Sequence, residues 1–307
     1  MRSVTPPTVR RSDAVDKAWL QQALADGAAP ESNRPSRGLH DRTSFEDPLG
    51  HRAHAAPPGT LAAFLRRWPR YARAHEADRS RRALFVSRYS LRREVALGLG
   101  LYALYLLVAR LVLRRDGRAR ARRNADRIVA LEERLGLDLE APVQRALLRY
   151  PRLVQGLNVG YGLFNVTLTV GWLVLLYRRR DDRFHRFRRA CVLTHLGAQP
   201  AFLLLPTAPP RVLDGFVDTM SEVSGLDLEH PLLVRFYNPV AAMPSLHVAF
   251  AVVTGAEIAE RSQSLVLRSA ARAYAPLVAT VVAGTGNHYV LDAVAGAALG
   301  AAARRVA

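Results

Sequence analysis

The sequence predicts an all-α fold: a polytopic membrane helix bundle of about six transmembrane helices behind a basic N-terminal arm. Three observations predict it. Half of the 307 residues are hydrophobic, yet the formal net charge is +18. The apolar residues gather in runs, and the arginines gather between those runs. A soluble globular domain seldom combines these properties, whereas apolar spans joined by basic cytoplasmic loops combine them naturally.

The chain divides into two regions. Residues 1–92 are rich in Arg, Asp, Pro, Ser and Gly, with apolar residues mostly single. Such a segment buries too little surface to offset its ordering entropy, and the reading is a disordered cytoplasmic arm. Leu61, Phe64, Leu65, Trp68 and Tyr71 have near-helical spacing among arginines. This patch fits either a helix lying on an anionic membrane surface or a short solvated helix ended near Pro69. Residues 93–307 form the membrane domain, with helices expected near 95–113, 153–177, 189–205, 243–259, 272–285 and 288–303. The first two are long enough to cross a bilayer core of about 30 Å. The last four are shorter or interrupted by polar residues, which a packed bundle can turn inward.

Arginine placement sets the orientation. The stretch from Arg178 to Arg189, the group Arg261, Arg268 and Arg272, and the terminal Arg304 and Arg305 belong on the cytoplasmic side. The 206–242 connection carries Asp214, Asp218, Glu222, Asp227 and Glu229 and reads as extracytoplasmic. One stretch conflicts: Arg114 to Arg127 is dense in arginine, yet six spans put it outside. Either the first run does not span simply, or this stretch lies on the headgroups as an amphipathic helix. No cleavable signal sequence precedes the first run, which then serves as the targeting element.

Composition also narrows the partners. The basic charge alone could suggest nucleic-acid binding, but the long apolar runs and the lack of a zinc-finger or RNA-recognition signature argue against it. Almost all of the positive charge is arginine, with Lys17 the sole lysine. The single cysteine, Cys191, rules out an intrachain disulfide.

Three stretches carry candidate chemistry. Pro206-Thr207-Ala208-Pro209-Pro210-Arg211 stops a helix and presents an arginine suited to phosphate oxygens. Ala241-Ala242-Met243-Pro244-Ser245-Leu246-His247 reads as a helix start, with proline in the first turn, an anion-attracting N-terminus and His247 projecting from it. Gly284-Thr285-Gly286-Asn287-His288-Tyr289-Val290-Leu291-Asp292 sets His288 and Asp292 four apart, on one helical face. A carboxylate on one imidazole nitrogen fixes the tautomer and leaves the other nitrogen as nucleophile or base. Each stretch alone has a bland alternative: a boundary arginine, a satisfied polar histidine, a structural His–Asp pair. Their common side of the membrane weakens all three.

The order and type of these residues resemble the type-2 phosphatidic acid phosphatase superfamily over roughly residues 150–303. That family carries a basic motif with Arg-Pro, a Pro-Ser-Gly-His motif, and a Ser-Arg stretch leading to His and Asp. Two departures stand out. Leu246 replaces the usual Gly, and Val281 and Val282 occupy the Ser-Arg positions. The set is similar to the inositol phosphorylceramide synthase branch, whose members transfer a phosphoryl-alcohol group between lipids.

The resemblance implies a lipid phosphatase or phosphotransferase with a lipid phosphate substrate and no metal or other cofactor. The catalytic residues would be His288, His247 and Asp292. Arg211, Ser245 and Arg235 would hold the phosphate. The enzyme would be a multi-pass protein of the cell membrane with its active site toward the extracytoplasmic face. His195 and Gln199 could touch the site or serve as polar core residues. Competing readings are a transporter using His288 and Asp292 as a proton relay and a non-catalytic scaffold displaying the basic arm.

Overall fold

The computed structural model describes residues 89–114 and 116–307. The Leu61–Tyr71 patch and nearly all of the arm lie outside the described residues. The described chain is all helical, without a strand. The helices are α1 (Leu91–Leu113), α2 (Gly117–Leu135), α3 (Glu140–Leu148), α4 (Pro151–Val159), α5 (Asn165–Arg178), α6 (Phe184–Leu204), α7 (Leu246–Arg261), α8 (Leu265–Gly284) and α9 (Val290–Val306). A π-helical turn, Gly160–Phe164, joins α4 to α5.

Each expected helix has a counterpart, but the one expected over 153–177 is broken at the π-helical turn and the one expected over 272–285 begins at Leu265. Helix α1 begins at Leu91, a little before the start expected near residue 95. Residues 114–150 supply α2, over the stretch for which an amphipathic helix is one alternative, and α3, which is unexpected. Helices α1 and α8 are long and apolar enough to cross a membrane, and the bent pair Pro151–Leu163 and Val166–Arg178 makes a third candidate. Much of the apolar surface faces outward, including Leu99, Leu107 and Leu111 on α1 and Val170 and Val174 on α5. In water such contiguous apolar surface is a liability; against acyl chains it costs nothing.

Helix α7 is the axle of the bundle, packing against α5, α6, α8 and α9. Its crossing with α9 is close for a reason written in the sequence. Gly296 and Gly300 are four residues apart and share one face of α9. A Cβ on Gly296 would lie 2.2 Å from the Ser245 carbonyl oxygen, and one on Gly300 would lie 2.4 Å from that of Ala249. Only glycine lets the two backbones approach this closely, as small-residue spacings do in membrane helices.

The two ends of the bundle differ in charge. At one end, Arg261 makes a two-pronged bond to Asp181, Arg304 bonds Glu260, and Arg183, Arg261 and Arg304 all face buried Glu257. All three basic groups assigned to one side thus contribute to this cluster. Arg188 pairs with Glu94 at the start of α1, so α1 runs from this end toward the other.

At the opposite end, α2 lies along the 206–242 connection. Arg118 pairs with Glu229 and Arg122 with Asp214, while Asn124 donates to the Pro206 carbonyl. Acidic residues of the neighbouring connection thus meet two of the arginines of residues 114–127. Of the two alternatives for this stretch, a helix at the end of the bundle fits the structure.

The glycine contacts make a direct prediction. Gly296→Ala and Gly300→Ala should each cost roughly 1–3 kcal/mol of stability, because backbone oxygen cannot swing aside. Gly98 has nothing near its missing Cβ, so Gly98→Ala should be neutral or stabilising. Thermal unfolding in detergent should separate the two classes, and equal midpoints for all three variants would contradict the close crossing.

Candidate active site

The three chemical stretches converge at the end of the bundle where α2 lies, and their backbones are laced together. Thr207 N–H donates to the Val240 carbonyl at 2.8 Å, and Ala242 N–H donates to the Thr207 carbonyl at 3.1 Å, a short parallel bridge. Arg211 N–H donates to the Gly286 carbonyl at 2.8 Å. Ser245 N–H donates to the Asp292 carbonyl at 3.0 Å. Each stretch is therefore bonded to both others, and the Tyr289 hydroxyl adds a bond to the Ala208 carbonyl at 3.0 Å. Gly286 has φ +72°, and a Cβ there would press on Gln144 and Arg211, so the turn before His288 needs glycine.

His288 and Asp292 meet, but not as two residues on one helix. His288 precedes α9, which begins at Val290. Its Nδ1 lies 2.8 Å from the Ala242 carbonyl oxygen and 3.4 Å from Asp292 Oδ2. Both neighbours are acceptors, so Nδ1 carries the proton and Nε2 presents its lone pair. The closer orienting group is a backbone carbonyl of the second stretch, which no side-chain pattern could disclose. Asp292 Oδ2 also accepts from Tyr289 N–H at 3.1 Å, capping α9.

His247 sits in the first turn of α7, as expected, and its ring centroid is 5.7 Å from that of His288. The proline differs from expectation: Ser245 is the N-cap of α7 and Pro244 precedes it, joined to Met243 by a cis peptide. The Ser245 hydroxyl accepts from Val248 N–H and caps α7, while its N–H, bonded to the Asp292 carbonyl, ties α7 to α9.

Arg211 is buried, with Nη1 donating to Asn287 Oδ1 at 2.7 Å. Asp218 and Glu229 flank it at 3.8 and 3.9 Å. Its Nε has no hydrogen-bond partner among the described residues. Burial pushes the Asp218 carboxyl above its usual range, against the pull of Arg211. Arg235 goes elsewhere, lining a cleft with Arg110, Leu113, Arg114, Pro231 and Val234. His195 bonds the Leu101 carbonyl at 3.0 Å, and Gln199 bonds the His195 carbonyl. Their mapped bonds thus join α6 to α1 and to itself, the core alternative of the sequence reading.

Several site residues escaped sequence reasoning. Tyr161 stacks on His247, ring centroids 4.3 Å apart at 26°, and lies edge-on to His288 at 6.5 Å. The His247 imidazole also hydrogen-bonds the Tyr161 backbone carbonyl. The π-helical turn around Tyr161 makes this possible, since a widened turn displaces carbonyls from their usual partners. Asn287, buried between Arg211 and Thr285, fixes the guanidinium.

Glu132 and Glu140 reach across from α2 and α3. They accept from the first N–H groups of α9, Glu140 from Val290 and Glu132 from Leu291 at 2.7 Å. The two carboxyls also hydrogen-bond each other, so the pair retains a proton. Only their spacing from later motifs in three dimensions reveals them.

With this geometry in place, the comparison with known families decides the kinship. A family model described as PAP2 superfamily matches residues 126–306. The chain belongs to the PAP2 superfamily. The match begins within α2, earlier than the resemblance in the motifs suggests, and so includes Glu132 and Glu140. Comparison with curated proteins and with solved structures found no match. Membership and the apolar helices make this a membrane protein of a phosphatase-type family, one that acts on phosphate esters.

The carboxyl pair sets a pH dependence. Burial raises Glu132 above its ordinary value near 4.5, so the folded state holds a proton that the unfolded chain releases. Stability from this pair is full at acid pH and falls as pH rises above the ordinary carboxylate range. Glu132→Gln keeps an oxygen for Leu291 and lets Glu140 ionise alone. Its thermal midpoint should gain steadily on the wild type between pH 5 and pH 8; a constant difference would exclude a shared proton.

Proposed function

We propose that the chain transfers a phosphoryl group from a lipid phosphate through a phosphohistidine on His288. The observation that carries the reading is the His288 ring: Nδ1 faces two acceptors, Nε2 presents a lone pair, and His247 lies across from it. In the first step Nε2 forms a bond to phosphorus, the ester P–O bond breaks, and protonated His247 gives its proton to the leaving alkoxide. In the second, water or an alcohol attacks phosphorus, its proton passes to His247, and the P–N bond breaks. Arg211, aimed by Asn287, meets the charge on the phosphoryl oxygens.

Leu246 and the valines at 281 and 282 favour an inositol phosphorylceramide synthase-like transferase over a plain hydrolase. Arg211 then carries the phosphate contact that the Ser-Arg motif supplies elsewhere in the family. The bundle would cross the bilayer six times, with the site on the extracytoplasmic face and the Arg183–Arg261–Arg304 cluster in the cytoplasm, as basic residues prefer.

His288→Ala, His247→Ala and Asp292→Asn should each abolish turnover while the protein still inserts into the membrane. Wild-type turnover by purified His288→Ala would sink the nucleophile assignment. Mass spectrometry of products from phosphatidic acid, prenyl phosphates and phosphatidylinositol, with and without an alcohol acceptor, decides the outcome class. Free phosphate identifies a hydrolase, and a new phosphodiester identifies a transferase.

Tyr161 should serve as a positioning residue for His247. Ring stacking of this kind is worth about 1 kcal/mol, or roughly fivefold to tenfold in rate. Tyr161→Leu should lower kcat by that factor on an alkyl phosphate and much less on p-nitrophenyl phosphate, whose leaving group needs no proton. Tyr161→Phe keeps the ring and should retain both rates. Equal losses on the two substrates would mean a merely structural role.

A further inference from the structure

Outside the histidine site, the structure gathers three arginines at one cleft. Arg110 and Arg114 come from the end of α1, and Arg235 from the short helical turn Leu233–Arg235. Leu113, Pro231 and Val234 complete the lining. The two walls are fixed to each other: the Tyr102 hydroxyl donates to the Phe236 carbonyl at 2.8 Å, and Asn238 N–H donates to the Tyr105 hydroxyl at 2.8 Å. The cleft is shallow and open, and it lies between α1 and the 231–238 segment that these bonds hold together.

Its charge is unbalanced. The neighbouring Arg118 and Arg122 have carboxylate partners. Arg110, Arg114 and Arg235 have none among the described residues. Arg110 lies in the last turn of a helix apolar enough to span a bilayer. Three guanidinium groups at the end of such a helix repel one another, and a hydrocarbon boundary sharpens the need for a counter-charge. The lining alternates these charges with apolar side chains, a combination that suits a molecule with an anionic head and a greasy body.

We propose that this cleft binds the phosphate headgroup of an anionic phospholipid, at a site separate from the one around Arg211. The guanidinium groups contact the phosphate oxygens, and Leu113, Pro231 and Val234 pack against the glycerol and upper acyl chain. Arg235 is thereby a phosphate ligand of a different kind from the one its sequence position suggested. The proposal does not depend on the phosphohistidine chemistry, because the bound lipid is not the reacting one.

Native mass spectrometry tests it on the full-length protein released from nanodiscs of phosphatidylcholine mixed with phosphatidylglycerol. The wild type should retain phosphatidylglycerol in preference to phosphatidylcholine. The triple variant Arg110→Gln, Arg114→Gln, Arg235→Gln should weaken that retention at least tenfold. Arg211→Gln should leave it unchanged. Thermal unfolding in phosphatidylcholine alone checks that the triple variant folds, and the single exposed-site variant Arg235→Glu provides a second reading if it does not. Equal retention of the two lipids by the wild type, or undiminished phosphatidylglycerol retention by the variants, overturns the proposal. Loss of retention in Arg211→Gln alone overturns it too, since the lipid would then sit at the histidine site.

Discussion

The site depends on a small set of main-chain hydrogen bonds. Thr207 with Val240 and Ala242, Arg211 with Gly286, and Ser245 with Asp292 tie three loops from distant parts of the chain into one unit. Side-chain geometry follows from that lacing. The Ala242 carbonyl can reach His288 only because its neighbour Ala241 is paired with Thr207. Arg211 can reach Asn287 only because its own N–H is held at Gly286. Main-chain bonds of this sort are rigid and indifferent to side-chain identity, which suits a framework that must hold reactive groups within tenths of an ångström.

Packing supports the lacing from below. The glycines of α9 bring its backbone against α7 at Ser245 and Ala249, so the helix carrying Asp292 and the helix carrying His247 cannot slide independently. A membrane bundle lacks the hydrophobic drive that holds a soluble core together, so close van der Waals contact has to do more of the holding. The paired arginines and glutamates at the opposite end act where water is near and leave the apolar midsection free of charge.

Much of this was legible in the sequence, and the limits of the reading are physical. Apolar runs and arginine clusters give the helices and their grouping by end, because hydrophobic length and charge are properties of contiguous segments. His247, His288, Asp292 and Arg211 stand out because their types and spacings are chemically unusual inside apolar surroundings. Glu132, Glu140, Asn287 and Tyr161 do not stand out: each is an ordinary residue in an ordinary stretch, made special by a partner far along the chain. Helix α2 was legible only as one of two alternatives, because two of its arginines have their carboxylate partners, Asp214 and Glu229, about a hundred positions away. The start of α9 was misjudged by two residues, since Asp292 caps the helix and excludes His288 from it. Arg235 looked like a companion of Arg211 on charge alone, and the fold sends it to a different cleft.

The carboxyls at the start of α9, from Asp292 and from Glu132 and Glu140 of α2 and α3, set the two helix ends at the site apart. A helix N-terminus ordinarily attracts negative charge through its unpaired N–H groups. At α9 those of Tyr289, Val290 and Leu291 are already taken by Asp292, Glu140 and Glu132. That pole is closed, and it lies beside His288. The two histidines therefore lie between unlike groups, the carboxyls at the start of α9 and the buried guanidinium of Arg211. On the proposed chemistry, that arrangement would set the oxygens of a phosphate toward the guanidinium and its phosphorus toward the imidazole.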